Sequence, residues 1–298
     1  MVEVTSMILP PPLRPGDRIR VVAPSGPFDR TLFLRGLAWL RERYRVAIEP
    51  GVFAREGFLA GSDARRLAEL RSALVEPDVR AIIVARGGYG AGRVAHAVGW
   101  DALRSAPRWI VGFSDATALH IEAARVGVAS LHAHNVAGLG RGDEHGRRAF
   151  VDALERPEAG RRFESLERWR GGRARGPLFG GNLTLLFTCA AAGRLRVPDG
   201  CVLFVEDVGE PPYRIDRALT ALEGSGALDR VAAVLVGEFV ECAAGRHGVP
   251  VEAVLRERLC RLGVPVVAGF PAGHGRRNQP LHLGRVATLD AARATLEM

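Results

Sequence analysis

Three observations predict an α/β protein of two domains. The first half of the chain alternates short apolar runs with segments of helical period; the pattern changes after a stretch rich in Arg and Gly; and 298 residues exceed one average domain. With 47% apolar residues the chain can bury real cores without disulfide staples.

Taken in order, "RIRVVAPSG" (18–26) reads as a strand closed by a Pro/Gly turn, "RTLFLRGLAWLRER" (30–43) as a helix and "YRVAIEP" (44–50) as a strand. Next come a helix at "DARRLAELRSALVEP" (63–77), a strand at "VRAIIVAR" (79–86) and a helix at "GRVAHAV" (92–98). The strand "RWIVGFS" (108–114) and the helix "ATALHIEAARVG" (116–127) complete the series. Such alternation is the mark of βαβ units: a parallel sheet with helices on both faces. The segment "RRFESLERWRGGRARG" (161–176) reads as a basic linker. Beyond it "GCVLFVEDVG", "VAAVLVGEFV", "VPVVAGF" and "LHLGRVATLD" read as strands, with helices at "RIDRALTALEGSG" and "PVEAVLRERLCRLG". The expected division is therefore a domain over 1–160, a linker over 161–176 and a smaller α/β domain over 177–298.

Several function classes lose support. No run approaches eighteen uninterrupted apolar residues and the N-terminus lacks a signal-peptide pattern, so a soluble, unexported, cytoplasmic protein is expected, with no membrane partner. The formal charge of +8 is spread over helix faces where Arg alternates with acids, which argues against a nucleic-acid partner. The four cysteines lie far apart with no CxxC pair, so no disulfide framework, zinc site or other cofactor is expected. Every basic residue is Arg; the absence of Lys removes Schiff-base chemistry.

Three places carry candidate chemistry. In "VARGGYGAGRV" four glycines (Gly87, Gly88, Gly90, Gly92) follow a strand, letting backbone N–H groups approach a ligand. The loop scans as GxxxxGR, but nucleotide binding fails on residue type: Arg93 and Val94 stand where a P-loop has Lys and Ser/Thr, and Arg93 also replaces the third glycine of the dinucleotide fingerprint. What survives is a donor site suited to an oxyanion. In "RWIVGFSDATALH" Ser114 falls between a strand and a helix, as a nucleophile on a sharp turn would, with the Asp115 N–H aimed at developing negative charge. Alone, that serine reads more readily as a helix cap.

A serine nucleophile needs a base, and the base an acceptor that fixes its tautomer. Of eight histidines, His274 in "FPAGHGRRNQP" sits in a glycine-punctuated loop from which a side chain can project into a site. Glu206 ends an apolar strand, where an ionised carboxylate needs a partner. Asp207 and Glu210 read as solvated turn residues.

Together the segments "LRPGDRIRVVAPSG", "FLAGSDARRLAELRSALVEPDVRAIIVARGGYGAGR", "IVGFSDATALH", "GPLFGGNLTLL", "FVEDVGEPPYRIDRAL" and "FPAGHGRRNQPLHLG" resemble the serine LD-carboxypeptidase family, the murein tetrapeptide carboxypeptidases related to microcin C immunity peptidases. The resemblance implies a flavodoxin-like N-terminal domain carrying Ser114 and a C-terminal domain carrying Glu206 and His274 as the other triad members. It implies an oxyanion hole made by the N–H groups of Gly88 and Asp115. The substrate implied is a murein tetrapeptide or muropeptide, cleaved between an L-configured diamino-acid centre and terminal D-alanine in cell-wall peptide recycling. The alternative is an immunity peptidase cleaving an aminoacyl-nucleotide conjugate. Arg86 and Asn182 are the candidate substrate-binding residues, and a homodimer is an open expectation. Where the family commonly has His-Gly-Pro, this chain has His132-Ala133-His134-Asn135, a departure in the expected pocket wall.

Overall fold

The computed structural model describes residues 7–298. Its strands are β1 (Arg18–Val22), β2 (Arg45–Ile48), β3 (Val79–Val84), β4 (Trp109–Gly112), β5 (Ser130–His132), β6 (Arg162–Phe163), β7 (Glu167–Arg170), β8 (Arg173–Asn182), β9 (Val202–Val208), β10 (Ala233–Val240), β11 (Val266–Ala268), β12 (Leu281–Leu283), β13 (Val286–Asp290) and β14 (Thr295–Glu297). Its helices are α1 (Arg30–Arg41), α2 (Asp63–Val75), α3 (Ala91–Val94), α4 (Asp101–Ser105), α5 (Thr117–Arg125), α6 (Val136–Arg141), α7 (Glu144–Glu155), α8 (Leu183–Ala191), α9 (Pro212–Gly224) and α10 (Val251–Arg261). The described chain divides into two compact units, one of residues 7–158 with 279–283, the other of 159–278 with 284–298.

The first unit is built on a six-stranded sheet in the order β12-β5-β4-β3-β1-β2. The five strands from the first half are mutually parallel, and β12 runs antiparallel to β5. The order 2-1-3-4-5 is flavodoxin-like, with its topological switch between β1 and β3. Period-two alternation sends Ile19, Val21, Ile83 and Val111 into one core with Phe33, Leu37, Leu139 and Phe150, and sends Val22, Ile82, Val84 and Ile110 into another with Leu70, Leu74 and Leu119. Helices begin where the sequence supplies caps: Asp29 accepts from Leu32 N–H at 2.8 Å, and Asp143 from Gly146 N–H at 2.8 Å.

The second unit holds an eight-stranded mixed sheet in the order β6-β14-β13-β8-β9-β10-β11-β7. Its centre, β8-β9-β10-β11, is parallel, and the flanking pairs are antiparallel.

Two expected boundaries need correction. Residues 161–176, expected as a linker, form β6, β7 and the start of β8. Phe163 packs edge-on against Phe270 at 4.9 Å, Arg256 lies 4.8 Å over the Trp169 ring and pairs with Glu167 at 2.6 Å, and Arg162 pairs with Glu297 at 2.7 Å. Arg162, Arg168 and Arg170 lie on the edge strands β6 and β7, where charge discourages pairing with another chain. The second correction concerns "LHLGRVATLD": it is two strands broken at Gly284, whose φ is +93°, and β12 completes the first unit's sheet, so 177–298 is not wholly one domain.

Candidate active site

The first unit carries Ser114. Strand β4 is buried throughout, Phe113 continues it in extended conformation (φ −151°, ψ −178°), and Ser114 then takes φ +64° at the head of a 3₁₀ turn leading into α5. A left-handed φ on a residue with a β-carbon costs about 1–3 kcal/mol and persists only where the surroundings impose it. A plain helix cap would sit in the β region at no such cost. This is the geometry of a nucleophile elbow.

The glycine loop lies against that elbow. A β-carbon on Gly87 would stand 2.9 Å from the Ser114 β-carbon and 3.0 Å from its Oγ, so only glycine leaves room for the hydroxyl. The Gly87 carbonyl accepts from Gly26 N–H at 3.2 Å, tying the loop after β3 to the loop after β1, across the switch point. Gly88 (φ +101°) is exposed. The same β-carbon position on Gly87 lies 3.5 Å from the Asp115 nitrogen, so the loop and the start of the α5 turn are close neighbours.

Two side chains that the sequence left without a role hold this arrangement. The Asp115 carboxylate, 1% exposed, accepts from Ala91 N–H at 2.7 Å and so joins the residue after Ser114 to the end of the glycine loop. Burial pushes its carboxyl above the usual range, opposed by hydrogen bonding from Ser25 and Ala91 and by the Arg66 charge. Arg66 is fully buried and donates through Nη1 to the Gly90 carbonyl at 2.7 Å and to that of Pro24, while Nη2 pairs with Asp63. A cation on the buried stripe of α2 was the available signal for Arg66.

Arg86 is exposed beside the loop, and its Nη1 donates to the Pro27 carbonyl at 2.8 Å. His120 is a core residue: Nδ1 meets Ser130 Oγ at 2.9 Å and Nε2 the Gly112 carbonyl at 3.0 Å, and burial lowers its pKa to about 4. In the departing segment, His132 and His134 stand edge-on to the Phe113 ring at 6.0 and 6.2 Å, which places them behind the elbow.

The second unit carries His274 and Glu206. Glu206 is 0% exposed on β9, and its Oε2 lies 2.7 Å from His274 Nδ1. Burial raises the Glu206 carboxyl pKa and the hydrogen bond with His274 opposes it, so the pair is the reason a carboxylate is tolerated there. With Nδ1–H donated to the carboxylate, the neutral imidazole is fixed in the tautomer whose Nε2 is the basic nitrogen. The loop is held by Asn278, whose Oδ1 accepts from Gly273 N–H at 3.1 Å, and by Glu238, whose Oε2 accepts from Gly275 N–H at 3.0 Å.

Asn182 and Asp207 differ from expectation. Asn182 is 3% exposed; its Nδ2 donates to Asp207 Oδ1 at 2.9 Å and its Oδ1 caps α8 by accepting from Leu185 N–H at 3.1 Å. Both ends of the amide are thus engaged inside the unit, with Asp207 and with the first turn of α8. Asp207 is 2% exposed rather than a solvated turn residue, and accepts from Thr184 N–H and Oγ1 at 2.9 and 2.8 Å. Adjacent on a strand, Glu206 and Asp207 point to opposite faces, one toward His274 and the other toward the start of α8.

Among the described residues no group of three or more His, Cys, Asp or Glu is placed to hold a metal ion, and no helix is long and apolar enough to cross a membrane. Comparison with known proteins matches residues 19–133 to the LD-carboxypeptidase N-terminal domain and residues 175–289 to the LD-carboxypeptidase C-terminal domain. A murein tetrapeptide carboxypeptidase of Pseudomonas aeruginosa is 34% identical over 81% of this chain and 82% of its own length. The Microcin C7 self-immunity protein MccF of Escherichia coli is 25% identical over 95% of this chain and 93% of its own. Among solved structures, a muramoyltetrapeptide carboxypeptidase from Oxalobacter formigenes superposes with a TM-score of 0.84 at 29% identity, covering 94% of this chain and 97% of the other. On these matches, in both halves and in fold, the chain belongs to the LD-carboxypeptidase family.

Proposed function

We propose that this protein is a serine carboxypeptidase that hydrolyses the amide between the L-configured diamino-acid centre and the terminal D-alanine of a murein tetrapeptide. Ser114 is the nucleophile, His274 the general base and acid, and Glu206 the orienting carboxylate. The observation that carries the reading is Ser114 itself, held at φ +64° with Gly87 clearing the space around its Oγ. The Glu206–His274 pair at 2.7 Å supports it by supplying a base of defined tautomer.

In this mechanism His274 Nε2 takes the Ser114 hydroxyl proton as Oγ attacks the carbonyl carbon. The tetrahedral oxyanion is stabilised by the N–H groups of Gly88 and Asp115, each such donor being worth about 3 kcal/mol of barrier. The imidazolium returns its proton to the departing D-alanine amine. Water, deprotonated by the same nitrogen, then hydrolyses the acyl-enzyme. Glu206 stays ionised and offsets the imidazolium charge. Arg86, exposed beside the glycine loop, meets the free carboxylate of the substrate. The reaction belongs in the cytoplasm, on peptides recovered from the wall.

The test is mass spectrometry of a murein tetrapeptide incubated with the wild-type protein and with Ser114→Ala, with and without a chelator. Loss of one alanine in the wild-type sample alone, indifferent to chelation, is expected. Alanine release by folded Ser114→Ala would reject Ser114 as nucleophile, and cleavage of an aminoacyl-nucleotide conjugate but not of the tetrapeptide would reject the substrate.

A further inference from the structure

We propose that Glu238 is a positioning residue for His274: its carboxylate fixes the loop that carries the imidazole and sets a second negative charge beside it. The inference rests on the reading of His274 as the base. Nothing in the sequence singles out Glu238, which lies in the strand segment "VLVGEFV" among apolar residues.

The structure engages Glu238 with the loop at three points. Its backbone N–H donates to the Ala272 carbonyl at 3.0 Å. Its own carbonyl oxygen lies 3.3 Å from where a β-carbon on Gly273 would stand. Its Oε2 accepts from Gly275 N–H at 3.0 Å, and a β-carbon on Gly275 would collide with the carboxylate. His274 thus lies between Ala272 and Gly275, both hydrogen-bonded to one residue of β10, while Gly273 N–H is held by Asn278. Gly273 is also squeezed from the other side, its β-carbon position lying 2.9 Å from Glu206 Oε2.

The acidic groups of the two strands beneath the loop are Glu206 on β9 and Glu238 on β10, with Asp207 turned to the opposite face of β9 and Arg276 and Arg277 exposed farther along the loop. The Glu238 carboxyl is raised above the usual range by burial and by the Glu206 charge, and the Gly275 hydrogen bond and His274 oppose the shift. Glu238 is thus electrostatically linked to both members of the pair. Its direct bond is to the loop backbone, which makes its action indirect.

Two substitutions separate the roles. Glu238→Ala removes the acceptor and the charge; kcat should fall about tenfold with KM changed less than about twofold. Glu238→Gln keeps an acceptor for Gly275 N–H and loses only the charge, so its kcat should fall by no more than about twofold. The acid limb of its pH profile should move to lower pH, because a negative charge that favours the imidazolium is gone. A readout independent of turnover is the ¹⁵N NMR titration of the His274 ring in a Ser114→Ala background, where adding Glu238→Gln should move the transition to lower pH. A wild-type kcat in folded Glu238→Ala would overturn the positioning role. An unmoved ring titration in Glu238→Gln would overturn the charge role even if Ser114 proved not to be the nucleophile.

Discussion

Ser114 and His274 are held in different ways. The serine sits at the end of a buried strand with a strained φ, against a glycine loop whose backbone is tied to Gly26 N–H, to the buried Asp115 carboxylate and to the buried Arg66 guanidinium. His274 stands on a glycine-flanked loop, held by the Glu206 carboxylate on the ring and by the Glu238 carboxylate and the Asn278 amide on the loop backbone. Glycine serves the first region by vacating space around a hydroxyl, and the second by letting two carboxylates come against the main chain. The elbow is therefore vulnerable to volume and the imidazole loop to charge.

The largest effect expected from this contrast is in the loop. Glu206→Gln preserves shape but lets the imidazole adopt the wrong tautomer, and a neutral amide in this role costs about 10⁴-fold in kcat in the well-studied serine proteases. The same change should stabilise the fold at neutral pH. The folded-state pKa of Glu206 is raised, so its unfavourable ionisation is absent below the unfolded carboxyl pKa of about 4.3 and grows as pH rises toward the folded value. Thermal melts should show Glu206→Gln above wild type at pH 8, with the difference vanishing at acid pH; a lower Tm at pH 8 would show that the His274 pairing outweighs burial.

The elbow should answer to volume instead. Gly87→Ala introduces a methyl 2.9 Å from the Ser114 β-carbon, and displacement of the nucleophile by a fraction of an ångström to an ångström should lower kcat/KM about 100-fold with no change in the shape of the pH profile. A pH profile displaced as in a charge variant would break the distinction between the two regions.

The smallest effects separate an outward-facing residue from an inward-facing one. Arg86→Ala should raise KM severalfold at unchanged Tm. Asn182→Ala should leave KM alone and remove a helix cap worth about 1 kcal/mol, lowering Tm by about 2–4 °C. A KM effect at Asn182 would return it to the substrate site.

The sequence made the first sheet legible because its strands are short apolar runs separated by amphipathic helices, and made the break at Ser114 legible because an apolar strand gave way abruptly to polar residues. The glycine-flanked histidine and the carboxylate ending an apolar strand were visible for the same reason: each is out of place unless paired. Residues 161–176 were opaque because their strand partners and ring contacts, Phe270, Arg256 and Glu297, lie about 90–135 residues away in sequence, a distance local periodicity does not register. Strand β12 was opaque because three residues before a glycine say nothing of which sheet receives them. Asp207 was misjudged, and the helix cap at Asn182 and the loop contact of Glu238 were missed, because a polar residue on a strand declares its face only when its neighbours in space are known.

The central claim, that the strained serine is the nucleophile, is tested most directly by trapping the acyl-enzyme. The protein is incubated with an activated ester of the murein peptide, quenched in acid and digested, and the adduct is located by peptide mass spectrometry. The account predicts one acyl group per chain, carried on Ser114 and absent from Ser114→Ala. An adduct on another residue in a turning-over wild-type sample would contradict it.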